Sequence, residues 1–278
     1  MYKRFFVFLA FCFGLSWGSA GLFAALGGRY DSPVGQAFVS LYMLLPMVSV
    51  WLTQWVCGER LFSNCGVSFK LNGWWLAAWI GMPLFCIAAA LLSGLMPGAS
   101  LSLGSDLMVE SVMKIGEQMP GLGPWGVLGL TLVSGLMAGA TVNALFAFGE
   151  EVAWRGFLNV ALGHLGFWKR AGLIGFVWGL WHAPIILMGH NYPDHRVAGV
   201  LMMIAFCMLL APIFLLIRER SKSVVAAAVA HGSLNATAGL SLVLVVGYND
   251  LLCGPQGLAG MAALLLADGV IFLSTRHG

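Results

Sequence analysis

Charge is scarce in this chain: only 9% of its 278 residues are Asp, Glu, Lys or Arg, where water-soluble domains carry roughly 25%. That shortage argues against a soluble enzyme. The net charge of +3 is small and scattered, which excludes an extended nucleic-acid-binding surface. The six cysteines (Cys12, Cys57, Cys65, Cys86, Cys207 and Cys253) form no CxxC pair, so the spacing encodes neither a disulfide framework nor a structural zinc site. The low hydrophobicity that disorder requires is missing too: 60% of residues are hydrophobic and the mean hydropathy is +0.90. Dyad alternation, the mark of a transmembrane β-barrel, is absent from the apolar runs. The runs are continuous, and they predict an all-α, polytopic membrane protein.

A membrane span needs roughly 20 mostly apolar residues. Eight stretches qualify: 5–27, 34–57, 73–96, 125–150, 171–190, 197–217, 223–247 and 256–274. Connections are short except 97–123 and 151–170, so residues 1–278 are read as a single integral membrane domain. Orientation follows the placement of Lys and Arg. With the N-terminus inside, the cytoplasmic segments hold Lys3, Arg4, Arg60, Lys70, Lys169, Arg170, Arg218, Arg220, Lys222 and Arg276. The outer segments hold Arg29, Lys114 and Arg196, while Arg155 sits near a boundary and is not counted. Both termini are therefore expected in the cytoplasm.

Lys3-Arg4, an apolar run and Gly18-Ser19-Ala20 resemble a signal peptide. The uncharged stretch continues to Gly28, longer than the usual ~7–15-residue apolar region, so a retained helix is expected. In 97–123, Met108, Val112, Ile115 and Met119 recur at helical spacing while Asp106, Glu110, Lys114 and Glu117 take other faces. This predicts a helix lying flat on the membrane and ended by Pro120-Gly121. Gly14/Gly18, Gly135/Gly139 and Gly175/Gly179 are GxxxG pairs, read as sites of close helix packing.

Ionisable groups inside spans are costly and mark function by default. Glu150, Glu151 and Arg155 close the fourth segment, His182 lies in the fifth, His231 in the seventh and Asp268 in the eighth. Glu151 and Arg155 stand at i, i+4 and can pair on one face. Glu150 lies about 100° round the helix, free for another task. Trp178 sits one turn before His182, and Asn235 one turn after His231. Three helices thus each carry a polar pair, and one shared intramembrane pocket would satisfy all of them.

A carboxylate with a histidine can hold a water and take its proton. A second histidine with an amide can donate to a developing oxyanion. That set supports amide hydrolysis without a covalent intermediate. Glu150, His182 and His231 could instead bind Zn²⁺ with one open position, although no HExxH helix is present. Ser233 lies on another face from His231 and Asn235.

Glu150-Glu151-Val-Ala-Trp-Arg155 resembles the EExxxR motif of the CAAX protease and bacteriocin-processing family of intramembrane proteases. Trp178 to His182 resembles its FxxxH motif and His231 to Asn235 its HxxxN motif, in the same order. The resemblance covers about 125–240 with specific motifs, within a core of about 125–247. It implies a helical core of about eight spans, an activated water at Glu150 and His182, and an oxyanion site at His231 and Asn235. Glu151 and Arg155 would support the site, as would Trp178, which stands where the family pattern has Phe. No cofactor is implied, and the substrate would be a membrane-associated or lipidated peptide or protein.

Other functions remain open at this stage: a zinc-dependent version of the same reaction, a non-catalytic peptide-binding receptor or immunity protein, and a proton-coupled transporter. The last predicts broken helices and repeat symmetry. Asp268 falls outside every motif and is read as structural. His164, His190 and His195 lie in connecting segments and are expected to be solvated, and His277 is terminal.

Overall fold

The computed structural model describes residues 2–119 and 121–275; Pro120, Arg276 and His277 lie outside them. The described chain is almost entirely helical. First come α1 (Tyr2–Ala25), α2 (Pro33–Tyr42), α3 (Leu45–Val56) and α4 (Gly73–Ser93). Then follow α5 (Asp106–Gln118), α6 (Pro124–Ala140), α7 (Val142–Glu151), a π-helical stretch (Val152–Leu158) and the short α8 (Asn159–Ala161). The last set is α9 (Phe167–Trp181), α10 (Ala183–Leu187), α11 (Arg196–Ser221), α12 (Val224–Thr237), α13 (Leu240–Leu244) and α14 (Leu258–Thr275). Two two-residue strands, β1 (Ser100–Leu101) and β2 (Val245–Val246), pair antiparallel.

Helix starts follow local chemistry. The Ser32 hydroxyl accepts from Gly35 N at 3.0 Å, the Asn72 amide oxygen from Trp74 N at 3.1 Å, and the Ser223 hydroxyl from Val225 N at 3.1 Å. Such caps satisfy amides that no helical carbonyl reaches. Pro33, Pro124 and Pro184 stand in first turns, where a missing N–H costs nothing.

All eight apolar stretches contain helix, but fewer than eight pass as spans. Five are long and apolar enough to cross a membrane, and a sixth if the bent pair formed by α6 with α7 and its continuation is one span. Among the described residues, these match five or six of the eight expected stretches. The region 171–190 falls short because α9 has only 15 residues and stops at His182; Pro184 follows and cannot extend its ladder. Leu258–Ser274 is apolar but shorter than a span.

The segment 125–150 is not one straight helix either. It bends by 45° at Thr141, whose backbone leaves the helical region at φ −121° and ψ −97°. Gly232 of α12 lodges in that bend: a β-carbon there would come within 2.4 Å of both Gly139 O and Ala144 N. α12 is rich in small residues, with Ala226, Ala227, Ala228 and Ala230 all buried. It packs against α4, α6, α7 and α11 at once, and so carries His231 into the middle of the molecule.

Two of the three GxxxG pairs are packing sites. β-Carbons at Gly175 and Gly179 would come within 2.6 Å of Cys207 O and 2.5 Å of Ile204 Cα on α11, and one at Gly139 within 2.7 Å of Ser233 Cα. Gly14 and Gly18 face open space with nothing within 4 Å, which corrects the reading of that pair. The α5 helix forms as expected, with Met108 buried beside Val127 and Val243.

Connections gather at two ends of the bundle. One end joins the N-terminal region to 57–72, 162–166 and 222–223, with Arg4 pairing Glu59 at 2.9 Å and Asn72 donating to Arg220 O at 3.2 Å. The other joins 26–32, 94–105, 188–195 and 245–257. There Tyr30 meets His190, Asp250 meets His195, and the Tyr192 hydroxyl donates to Gln256 O.

Candidate active site

The helix that carries the acidic pair continues past Arg155 through the π-helical stretch to Ala161, which sets Glu150 well inside the bundle. Widened turns of this kind recur at functional sites. Glu150 is buried, and its Oε2 accepts from the Trp178 indole at 2.7 Å and from the Trp154 indole at 3.2 Å. Both indoles use the same oxygen, so Oε1 remains for the chamber that Glu150 lines.

Glu151 turns the other way. Its Oε1 accepts from Arg155 Nη1 at 2.9 Å, the pair expected from i, i+4 spacing, and both residues are fully buried. The same oxygen lies 3.0 Å from His231 Nδ1. The Arg155 guanidinium also stacks over Trp178 at 4.3 Å and Phe214 at 4.7 Å, a cation–π arrangement. Its Nε and Nη2 find no hydrogen-bond acceptor among the described residues.

His182 closes α9, and its Nδ1 lies 2.8 Å from Trp178 O. A carbonyl only accepts, so Nδ1 carries the hydrogen and Nε2 presents a lone pair. For His231 the partner of Nδ1 is a carboxylate oxygen, which again places a hydrogen on Nδ1. The Trp178 ring lies 5.4 Å from that of His231 and 6.0 Å from that of His182.

Glu150, Trp178, His182, His231 and Asn235 all line one chamber of about 250 Å³. Three motifs from separate helices thus share one cavity. Ser233 packs against Gly139 and is not among the lining residues, and Asp268 is also outside it. Glu151 and Arg155 stand behind the wall.

Polar groups that the sequence reading did not select line it as well: Asn143, His190, Asn191 and Gln256. Asn143 had a signal, an amide in an apolar run two helical turns before Glu150 and therefore on its face. His190, Asn191 and Gln256 lie in connections and had none. One expectation, that His190 is solvated, is corrected here. His190 is half-buried with Nδ1 2.7 Å from the Tyr30 hydroxyl, and His195 Nδ1 lies 2.5 Å from buried Asp250. Withdrawal from solvent holds the His190 imidazole well below its ordinary pKa, with the neighbouring His182 adding to the effect. The chain folds these connections back onto the bundle, which spacing does not reveal.

Among the described residues no three His, Cys, Asp or Glu side chains are arranged to hold a metal ion. Glu150, His182 and His231 share the chamber without forming a ligand cage in this arrangement.

The fold and the chamber define a multi-pass helical membrane protein with a buried carboxylate and two histidines converging from separate helices. The family model described as type II CAAX prenyl endopeptidase Rce1-like matches residues 124–237. That stretch contains all three motifs and most of the chamber wall, so the likeness to this family falls on the part of the chain that builds the site. The comparison with curated proteins finds no match.

Proposed function

We propose that this protein is an intramembrane endopeptidase that hydrolyses a peptide bond by direct attack of water, with no covalent intermediate. The observation that carries the reading is the convergence of Glu150, His182, His231 and Asn235 on one chamber from three helices. A water held between Glu150 Oε1 and His182 Nε2 loses its proton to Glu150 as its oxygen attacks the scissile carbonyl carbon. General-base assistance of this kind is worth about 10²–10⁴-fold. The carbonyl oxygen, now an oxyanion, receives hydrogen bonds from the Asn235 amide and from His231 Nε2. Donation from Nε2 requires both ring nitrogens of His231 to be protonated, and Glu151 supplies the counter-charge for that cation. Glu150 then returns the proton to the leaving nitrogen, the C–N bond breaks, and a carboxylate and an amine depart.

The substrate class is a membrane-associated or lipidated peptide or protein, CAAX-like or bacteriocin-related. Its apolar part fits chamber walls formed by Ile185, Met203, Phe206 and Leu234. The bend at Thr141 is one feature a transporter would also show, but the packing of Gly232 accounts for it locally.

Protein termini in source cells carrying the parent chain or Glu150→Gln at equal abundance test the reading by mass spectrometry. New termini with the parent only, reproduced with purified components, support hydrolysis. Matching termini, with the phenotype retained by a folded variant, favour a peptide-binding receptor. Loss of cleavage with a chelator, restored by stoichiometric zinc that His182→Ala fails to retain, would assign the zinc-dependent form.

A further inference from the structure

At the end of the bundle that carries the N-terminal region, the stretch 66–72 lies against the connection between α11 and α12. Val224 N donates to Gly66 O at 3.0 Å, Asn72 Nδ2 to Arg220 O at 3.2 Å, and the Ser223 hydroxyl to Ser68 O. The Arg218 guanidinium fills the space over Gly66 that a side chain there would need. These contacts bring Lys70 onto one seam with Arg218, Arg220 and Lys222.

None of the four forms a salt bridge among the described residues. Glu59 and Glu219, which lie at the same end, are already held by Arg4 and Arg170. Arg218 Nε is buried without a hydrogen-bond acceptor, while Lys70, Arg220 and Lys222 are exposed. Like charges gathered without counter-ions repel one another, so an anion placed on the seam is stabilised by all of them.

The surroundings say which anion. Phe69 and Leu71, on either side of Lys70, are 75% and 78% exposed, and Val67 continues the alternation. Trp74 and Trp75 open α4, a helix long and apolar enough to cross the membrane. Arg220 lies over the Trp74 ring at 6.0 Å, and the Trp75 indole donates to Lys70 O at 3.1 Å. Indoles gather where a span leaves the hydrocarbon, so the seam lies at headgroup level. Acyl chains cover exposed phenyl and leucyl side chains there, and cations beside them meet phosphates.

We propose that this seam binds an anionic phospholipid, its headgroup among Lys70, Arg220 and Lys222 with Arg218 behind them, and its acyl chains along Phe69 and Leu71. A soluble phosphate or an acidic peptide would use the cations but leave the apolar pair in water. The four cations also belong to the set that the sequence assigns to the cytoplasm, where the facing leaflet is the anionic one. The site stands apart from the chamber and does not depend on the reaction proposed there.

The full-length protein in neutral detergent is titrated with phosphatidylglycerol or phosphatidylcholine of equal chain length, and bound lipid is counted by native mass spectrometry. Each Lys or Arg near an anionic surface strengthens binding about fivefold, so the parent is expected to prefer phosphatidylglycerol by at least about tenfold. Lys70→Gln with Arg220→Gln and Lys222→Asn is expected to abolish that preference; asparagine suits position 222, where φ is +57°. Lys3→Gln with Arg60→Gln and Lys169→Gln removes the same charge from exposed positions outside the seam, and should leave the preference intact. Equal binding of both lipids by the parent overturns the proposal, as does a preference retained by the seam variant or lost equally in both triple variants. Glycerol phosphate at matched concentration is expected to displace no lipid; displacement shows a site for any phosphate and overturns the lipid assignment. If the seam variant does not fold, Lys222→Asn alone is expected to lower phosphatidylglycerol affinity about fivefold, and an unchanged affinity overturns the proposal.

Discussion

Glu151 Oε1 has two nitrogen partners at once, Arg155 Nη1 at 2.9 Å and His231 Nδ1 at 3.0 Å. The second glutamate of the motif is therefore more than the anchor of a local ion pair. It fixes which nitrogen of His231 faces the chamber, as carboxylates do for metal-bound and triad histidines. Glu151→Gln keeps an acceptor but removes the charge. Losing a charge-assisted hydrogen bond costs about 1.5–3 kcal/mol, so kcat should fall about 10–100-fold with KM nearly unchanged. Steady-state kinetics on the folded variant checks this, and an equal loss in melting temperature and activity would instead indicate a purely structural role.

Arg155 has the opposite profile. Removing it leaves Glu151 buried with less compensation, and breaking a buried pair costs about 3–5 kcal/mol. Arg155→Met should therefore lower thermal stability in detergent far more than Glu151→Gln does. A melting curve within a degree or two of the parent would show that the buried pair contributes little.

Trp178 is where this chain departs from the Phe of the motif it resembles, and the difference is an N–H. That indole donates to Glu150 Oε2 at 2.7 Å. Trp178→Phe preserves an aromatic wall and a platform for Arg155 but removes the donor. Cleavage should slow by about tenfold, the scale of one hydrogen bond to a charged group, without loss of fold. Trp154→Phe, whose bond is longer at 3.2 Å, should have the smaller effect.

Glycine substitutions separate packing sites from bystanders. Gly179→Ala drives a β-carbon to within 2.5 Å of Ile204 Cα, backbone that cannot swing aside. Overpacking of this kind costs about 1–3 kcal/mol. Gly14→Ala meets nothing within 4 Å, so its melting temperature in detergent should match or slightly exceed the parent's.

His190 makes stability pH-dependent. Its folded-state pKa lies below its ordinary value because the ring is withdrawn from solvent, whereas an unfolded histidine takes up a proton near pH ~6.5. Below that pH the unfolded chain binds the extra proton, so the His190 contribution is present at neutral pH and lost on acidification. His190→Gln should flatten the fall in melting temperature between pH 7 and 5. An unchanged slope would show that the imidazole keeps access to protons.

Spacing alone supplied the apolar stretches, the basic asymmetry and the Glu151–Arg155 pair within one helix. Glu151 with Arg155 is fixed by 3.6 residues per turn, and it forms as expected. The Gly175/Gly179 face was legible for the same reason. The span count was less legible, because hydropathy does not register where Pro184 stops α9 or where Gly232 bends the fourth segment. Relationships between helices were not legible at all. Glu151 and His231 are 80 positions apart, and Trp178 and Glu150 are 28 apart. Their meeting depends on how closely small residues let α12 and α9 approach their neighbours. The folding of His190, Asn191 and Gln256 into the wall depends on loops whose sequences carry no periodicity. Local geometry is set residue by residue along the chain, whereas the chamber exists only once packing has brought its helices together.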